Sequence, residues 1–204
     1  MELTAAAQWL NNVFYEADYA ILSFYHTLAE SAGGFLTPVL GTLTLTAWKG
    51  AFLMLLSLAL ICFRKTRRAG LCALLAIALG ALFTNLLIKD QVARPRPHLF
   101  DETLRQWWEY VGAQSVSDHS FPSGHMTAAC AFTTGFVLAK GKKWIPVGVL
   151  YVALMGVSRN YLMVHYPSDV LGGLVTGVAA GVISFFAVRA VYRRWGGRRL
   201  LREE

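Results

Sequence analysis

Three short stretches of this chain carry residues that could do chemistry together. The first is KDQVARPRP, with Lys89, Arg94 and Arg96. The second is FPSGH, with Ser123, Gly124 and His125. The third is SRNYLMVHYPSD, with Ser158, Arg159, His165 and Asp169. Lysine and arginine supply positive charge, and arginine binds a phosphate through two parallel N–H donors. Ser123 suits a helix N-cap, which would leave the N–H groups of Ser123, Gly124 and His125 pointing at an anion. Pro167 suits the first turn of a following helix. His165 and Asp169 stand four apart across that start, so the carboxylate can hold one ring nitrogen and leave the other to attack. His125 can then act as general acid. Together these groups describe a phosphoryl-transfer site.

Taken singly, each group has an ordinary reading. Lys89 reads as an interface lysine, Arg94 and Arg96 as solvated loop residues, and Ser123 with His125 as a cap and a first-turn residue. Arg159 reads as a lipid-headgroup contact, and His165 with Asp169 as a structural pair. These readings do not explain why all of the groups fall on one side of a membrane, which is where the rest of the sequence puts them.

Hydrophobic residues make up 55 % of the 204 residues and charged residues 15 %, with a net charge of +7. This excludes a disordered chain, a disulfide scaffold and an ordinary water-soluble domain, and indicates one small polytopic membrane domain over residues 1–204. The basic residues gather in 64–68, in 140–143 and from Arg189 onward, each beside an apolar run, as the positive-inside pattern requires. Because spans separate these clusters, nucleic acid is not an expected partner. The segment 89–123, with four basic and five acidic residues, falls on the opposite side.

Apolar runs predict spans over about 35–63 (broken at Lys49–Gly50), 69–88, 123–139, 144–163 and 168–190. Residues 9–30 read as an amphipathic helix with an apolar stripe through Leu10, Phe14, Ala17, Ile21, Phe24, Tyr25 and Leu28, either interfacial or a poor span. The stretch ETLRQWWEY reads as a short interfacial helix with Trp107 and Trp108 at headgroup level. Gly173, Gly177 and Gly181 form a close-packing face, for a neighbour in the same chain or in a dimer; the oligomeric state is left open. Cys62, Cys72 and Cys130 read as small apolar packing residues, Lys49 as an interfacial lysine or else a substrate contact, and the N-terminus as lacking a cleavable signal.

The three blocks resemble the signature of the type 2 phosphatidic acid phosphatase family, integral-membrane lipid phosphatases related to the vanadium haloperoxidases. That signature is K-x6-R-P, P-S-G-H and S-R-x5-H-x3-D. Here it reads Lys89…Arg96-Pro97, Pro122-Ser123-Gly124-His125 and Ser158-Arg159…His165…Asp169. The resemblance implies an all-α membrane bundle with a six-helix core: five clear spans and the amphipathic N-terminal helix. It implies His165 as nucleophile, Asp169 as its support, and His125 as acid and then base. Lys89, Arg96, Ser123, Gly124 and Arg159 would hold the phosphate, with Arg94 as an added contact. No metal or cofactor is implied. The substrate would be a lipid phosphate, first among them undecaprenyl pyrophosphate, with phosphatidylglycerol phosphate or phosphatidic acid as alternatives. The site would face the extracytoplasmic side of the plasma membrane. A vanadate-dependent haloperoxidase and an anion or lipid transporter are the readings from other classes.

Overall fold

The computed structural model describes residues 3–116 and 119–195, and those residues build a bundle of helices. Helix α1 (Ala5–Leu45) starts at Thr4, whose hydroxyl accepts from the Ala7 N–H and donates to the Val92 carbonyl. It kinks at Ala32 (φ −137°, ψ 15°). Before the kink, α1 keeps to one end of the bundle. Tyr15 donates to Asp101 Oδ2 at 2.8 Å, and the His26 ring stacks on Trp107 at 4.8 Å. Residues from Thr4 to His26 thus follow the segment from Val92 to Trp107, so this half lies across that end rather than along the spans.

After the kink, α1 pairs with α8 (Ile145–Tyr161). Thr37 bonds Tyr161 at 2.8 Å, Ser158 donates to the Leu40 carbonyl at 2.9 Å, and Thr46 bonds Tyr151 at 2.9 Å. The partners descend in α8 as they ascend in α1, so the two run antiparallel. A 3₁₀ turn over Trp48–Gly50 follows, then α2 (Ala51–Cys62). The break expected at Lys49–Gly50 is therefore real: both residues adopt left-handed backbone, at φ 49° and 70°.

The exposed stripe of the first half of α1 differs from the expected one. Ala17, Ile21 and Phe24 face outward, while Asn11, Asp18, Leu22 and Ala29 are buried. The outward side also exposes Asn12, Glu16 and Glu30, and the packed side is set by the hydrogen bonds of Asn11 and Asp18 to Arg94 and Ser168, which the apolar stripe alone does not report.

The tightest packing joins α3 (Arg67–Ala81), α7 (Gly124–Lys140) and α9 (Pro167–Trp195). The glycine face of α9 is used inside the chain. A Cβ at Gly177 would lie 2.6 Å from the Thr127 carbonyl oxygen, and one at Gly173 would lie 2.6 Å from that of Ser123. Helix α9 therefore rests directly on the α7 backbone. Ser184 adds a buried bond to the Cys72 carbonyl at 2.6 Å, and Cys72 and Cys130 are buried free thiols. At one end Lys140 Nζ donates to the Lys65 carbonyl at 2.7 Å, so the two basic loops meet. Arg198, Arg199 and Arg202 lie outside the described residues.

The opposite end carries the signature residues. There α3 widens into a π-helical segment, Leu82–Ile88, and ends in α4 (Lys89–Val92), stopped by left-handed Ala93. Two short helices follow, α5 (Pro97–Phe100) and α6 (Glu102–Tyr110), the latter capped by Asp101. Helix α6 is the expected ETLRQWWEY helix, but Trp107 and Trp108 are half-buried, stacked on His26 and His98, rather than set out at headgroup level.

Candidate active site

The chain between α8 and α9 is wholly buried from Tyr161 to Val170 and turns at Met163, φ 55°. Pro167 opens α9, which brings Asp169 back beneath His165. The Asp169 carboxylate is held firmly. Its Oδ1 accepts from Arg94 Nη1 at 2.8 Å. Its Oδ2 accepts from the Tyr166 N–H at 2.9 Å and from the Ser120 hydroxyl. His165 Nδ1 stands 3.6 Å from Oδ2, longer than a hydrogen bond. The other ring nitrogen, Nε2, lies 3.3 Å from Arg96 Nη1.

His165 is 1 % exposed. Burial, followed by the charges of Arg96, Arg159, Lys89 and His125, holds its pKa well below the usual imidazole range. The ring is neutral at neutral pH and keeps a lone pair to donate.

His165 borders a cavity of about 480 Å³ together with Lys89, Arg96, Gly124, His125 and Arg159. Its wall contains no carboxylate among the described residues. The cations are placed by the fold. Arg96 Nη1 donates to the Val164 carbonyl at 2.6 Å. Arg159 Nη1 donates to Thr44 and, at 3.1 Å, to Gln114 Oε1. Lys89 stands at the end of the π-helical segment, where an i→i+5 turn shifts the residues after it around the helix. Thr84 within that segment bonds Thr127 of α7 at 3.0 Å and fixes the shift.

Two expected phosphate contacts are corrected. Arg94 does not line the cavity. It is fully buried behind His165, where its guanidinium binds Asn11 (2.9 Å), Ser168 (2.7 Å), Asp169 (2.8 Å) and Asp18 (3.0 Å) and lies 3.9 Å over the Tyr166 ring. Two carboxylates and an aromatic face draw it inward and leave it no reach toward substrate. Ser123 is also buried behind the wall. Its N–H donates to the Asp169 carbonyl at 3.1 Å and its hydroxyl caps α7, so its amide is not an anion donor. Gly124 and His125, the first two residues of α7, do reach the cavity.

Sequence reasoning missed Asn11 and Asp18, which join the far end of the chain to this cluster; Asp18 also accepts from the Ser168 N–H at 2.8 Å and from its hydroxyl at 2.6 Å. The available signal was their seven-residue spacing, which puts both on one side of α1. Ser120, Thr44 and Gln114 gave no sequence signal, because their partners are remote in the chain. Lys49, read as interfacial, is on the cavity wall.

Comparison with known proteins agrees with this arrangement. The PAP2 superfamily profile matches residues 69–193, which include all three signature blocks. The chain belongs to the PAP2 superfamily. Phosphatidylglycerophosphatase B of Bacillus subtilis is 36 % identical over 138 residues, covering 62 % of this chain and 59 % of that protein. Undecaprenyl-diphosphatase of Sulfolobus acidocaldarius is 31 % identical over 133 residues, covering 64 % and 59 %. The alignments thus span about three fifths of these curated relatives. Among solved structures, a transmembrane PAP2 phosphatidylglycerolphosphate phosphatase from Bacillus subtilis has the same fold, with TM-score 0.67, 24 % identity and coverage of 95 % and 94 %. Aquifex aeolicus LpxE matches with TM-score 0.65 and 26 % identity over 81 % of this chain and 94 % of that one. This PAP2 chain therefore has its family's fold over nearly its whole length, and three of its helical stretches, Ala5–Cys62, Arg67–Phe100 and Pro167–Arg194, are long and apolar enough to cross a membrane.

Proposed function

We propose that the chain is a single-domain integral-membrane lipid phosphatase that works through a phosphohistidine. The observation that carries this reading is a buried, neutral His165 on a cavity bordered by Lys89, Arg96 and Arg159, with no carboxylate on its wall among the described residues. Those three cations hold the phosphate oxygens, with the first turn of α7 at Gly124 and His125. His165 Nε2 attacks phosphorus, and the phosphorus–oxygen bond to the leaving group breaks. The electron pair stays on the leaving oxygen, which takes a proton from His125. Water then attacks the phosphohistidine as His125 removes its proton, the N–P bond breaks and phosphate leaves. Asp169 supports the positive charge that His165 carries in the intermediate.

For the substrate we favour undecaprenyl pyrophosphate, hydrolysed to undecaprenyl phosphate on the extracytoplasmic face of the plasma membrane. Support comes from a relative named for that activity and from the charge asymmetry, with the basic loops at the end away from the cavity. Phosphatidylglycerol phosphate is the second candidate, on the strength of the Bacillus subtilis relative. The test is phosphate release by detergent-purified protein in EDTA, from undecaprenyl pyrophosphate, phosphatidylglycerol phosphate, phosphatidic acid and diacylglycerol pyrophosphate, beside His165→Ala. Release from one lipid, lost in the variant, is the expected result. No release from any lipid by folded protein overturns the proposal.

A further inference from the structure

The cavity is longer than one phosphate needs. It follows the helical stretch from Lys89 back through Thr84 and Asn85 to Ile77 of α3, twelve residues earlier, or about 18 Å along a helix. At the Ile77 end the facing wall is the Trp48–Gly50 turn: a Cβ on Gly50 would lie 3.1 Å from Ile77 Cγ2. Lys49 belongs to that wall. Lys49 is exposed on the turn that closes this end of the cavity. It adopts left-handed backbone (φ 49°, ψ 16°), a conformation that a non-glycine residue holds only at a free-energy cost. Its ammonium lies 5.3 Å over the Trp48 ring. Among the described residues no carboxylate lines the cavity to pair with it.

The direction of the reaction gives this cation a task. The lipid tail must leave the site toward the bilayer, and the leaving group lies between the attacked phosphorus and the tail. In a lipid monophosphate that position holds a neutral alcohol oxygen and its carbon chain. In a lipid diphosphate it holds a second, anionic phosphate. We propose that Lys49 is a specificity-determining residue that pairs with the inner, lipid-bound phosphate of a diphosphate substrate and so favours lipid diphosphates over monophosphates. The proposal rests on the phosphatase reading above and narrows it. In the step it assists, the His165 Nε2–P bond forms at the terminal phosphorus and the bridging P–O bond breaks. The electron pair goes to the departing lipid phosphate, whose charge Lys49 offsets while His125 supplies the proton.

The test uses full-length protein in detergent with undecaprenyl diphosphate and undecaprenyl phosphate, which share a tail. The readout is the ratio of their kcat/KM values in wild type, Lys49→Asn and Lys49→Arg. Asparagine tolerates left-handed backbone, so the turn is kept. The ratio should fall roughly tenfold or more in Lys49→Asn, the scale of one charge-assisted contact, and return in Lys49→Arg. An unchanged ratio in Lys49→Asn, or an equal loss on both lipids, overturns the proposal. So does a wild type that acts only on the monophosphate, although that result keeps the phosphatase. A wild type inactive on both lipids, and on the other lipids named above, removes the phosphatase reading itself.

Discussion

Replacing Arg94 by lysine separates two roles that the same charge could play. As a phosphate ligand, Arg94 would be replaced by another point cation at modest cost, seen in KM. As a clamp it cannot be. Its guanidinium reaches Asn11, Asp18, Ser168 and Asp169 at 2.7–3.0 Å from three different nitrogens. An ammonium has three hydrogens on one atom and cannot span Asp18 and Asp169 together. Losing two such charge-assisted bonds costs about 3–6 kcal/mol, a large part of ordinary domain stability. It also frees the carboxylate that faces His165 Nδ1 at 3.6 Å. Misplacement of a catalytic group by about 1 Å can cost on the order of 100-fold. The expected outcome for Arg94→Lys is therefore a lower Tm in detergent and a kcat reduced by about 10- to 100-fold, with KM close to wild type. Thermal unfolding and steady-state kinetics on the same preparation test this. A raised KM with unchanged kcat and Tm would refute the clamp and restore Arg94 as a phosphate contact.

The depressed pKa of His165 gives a signed pH dependence. The folded protein keeps the ring neutral below 6.5, so the acid-side loss of kcat/KM should begin well under that value; a midpoint at or above it contradicts the reasoning. The same depression lets only the unfolded chain take up this proton as pH falls through 6.5, so His165 contributes a loss of stability on the acid side, measurable as a falling Tm. On the proposed mechanism the cations on the cavity wall neutralise the phosphate, so activity should persist in excess EDTA; complete loss restored by magnesium would refute this. Gly124→Ala and Gly177→Leu should fail in different ways. A methyl at Gly124 meets no atom within 4 Å, so Tm should hold while substrate affinity falls in the narrowed cavity. A side chain at Gly177 meets Cys130 Cβ at 2.5 Å and the Thr127 carbonyl, so Tm should fall, in keeping with an overpacking cost of about 1–3 kcal/mol or more.

The sequence by itself determined the membrane class, the order of the helices and six of the residues that line the cavity. Long apolar runs must cross or enter a bilayer because backbone polar groups in lipid have to be satisfied within helices. Lys89, Arg96, Gly124, His125, Arg159 and His165 were legible because one face of the protein carried costly charges in a fixed order, and the structure brings all six to one cavity. Three decisions belonged to the tertiary structure. The roles of Arg94 and Ser123 turned on Asp18 and Asp169, which approach them from elsewhere in the chain, and no local pattern reports a contact between residues 18 and 94. The buried side of α1 depended on Arg94 and Ser168, which hydrogen-bond Asn11 and Asp18 and draw that side inward against the apolar stripe. Lys49 reached the cavity because two left-handed residues break the helix there and Gly50 comes up against Ile77 of α3; the sequence showed the break, but the far wall is set by which helices stand beside it.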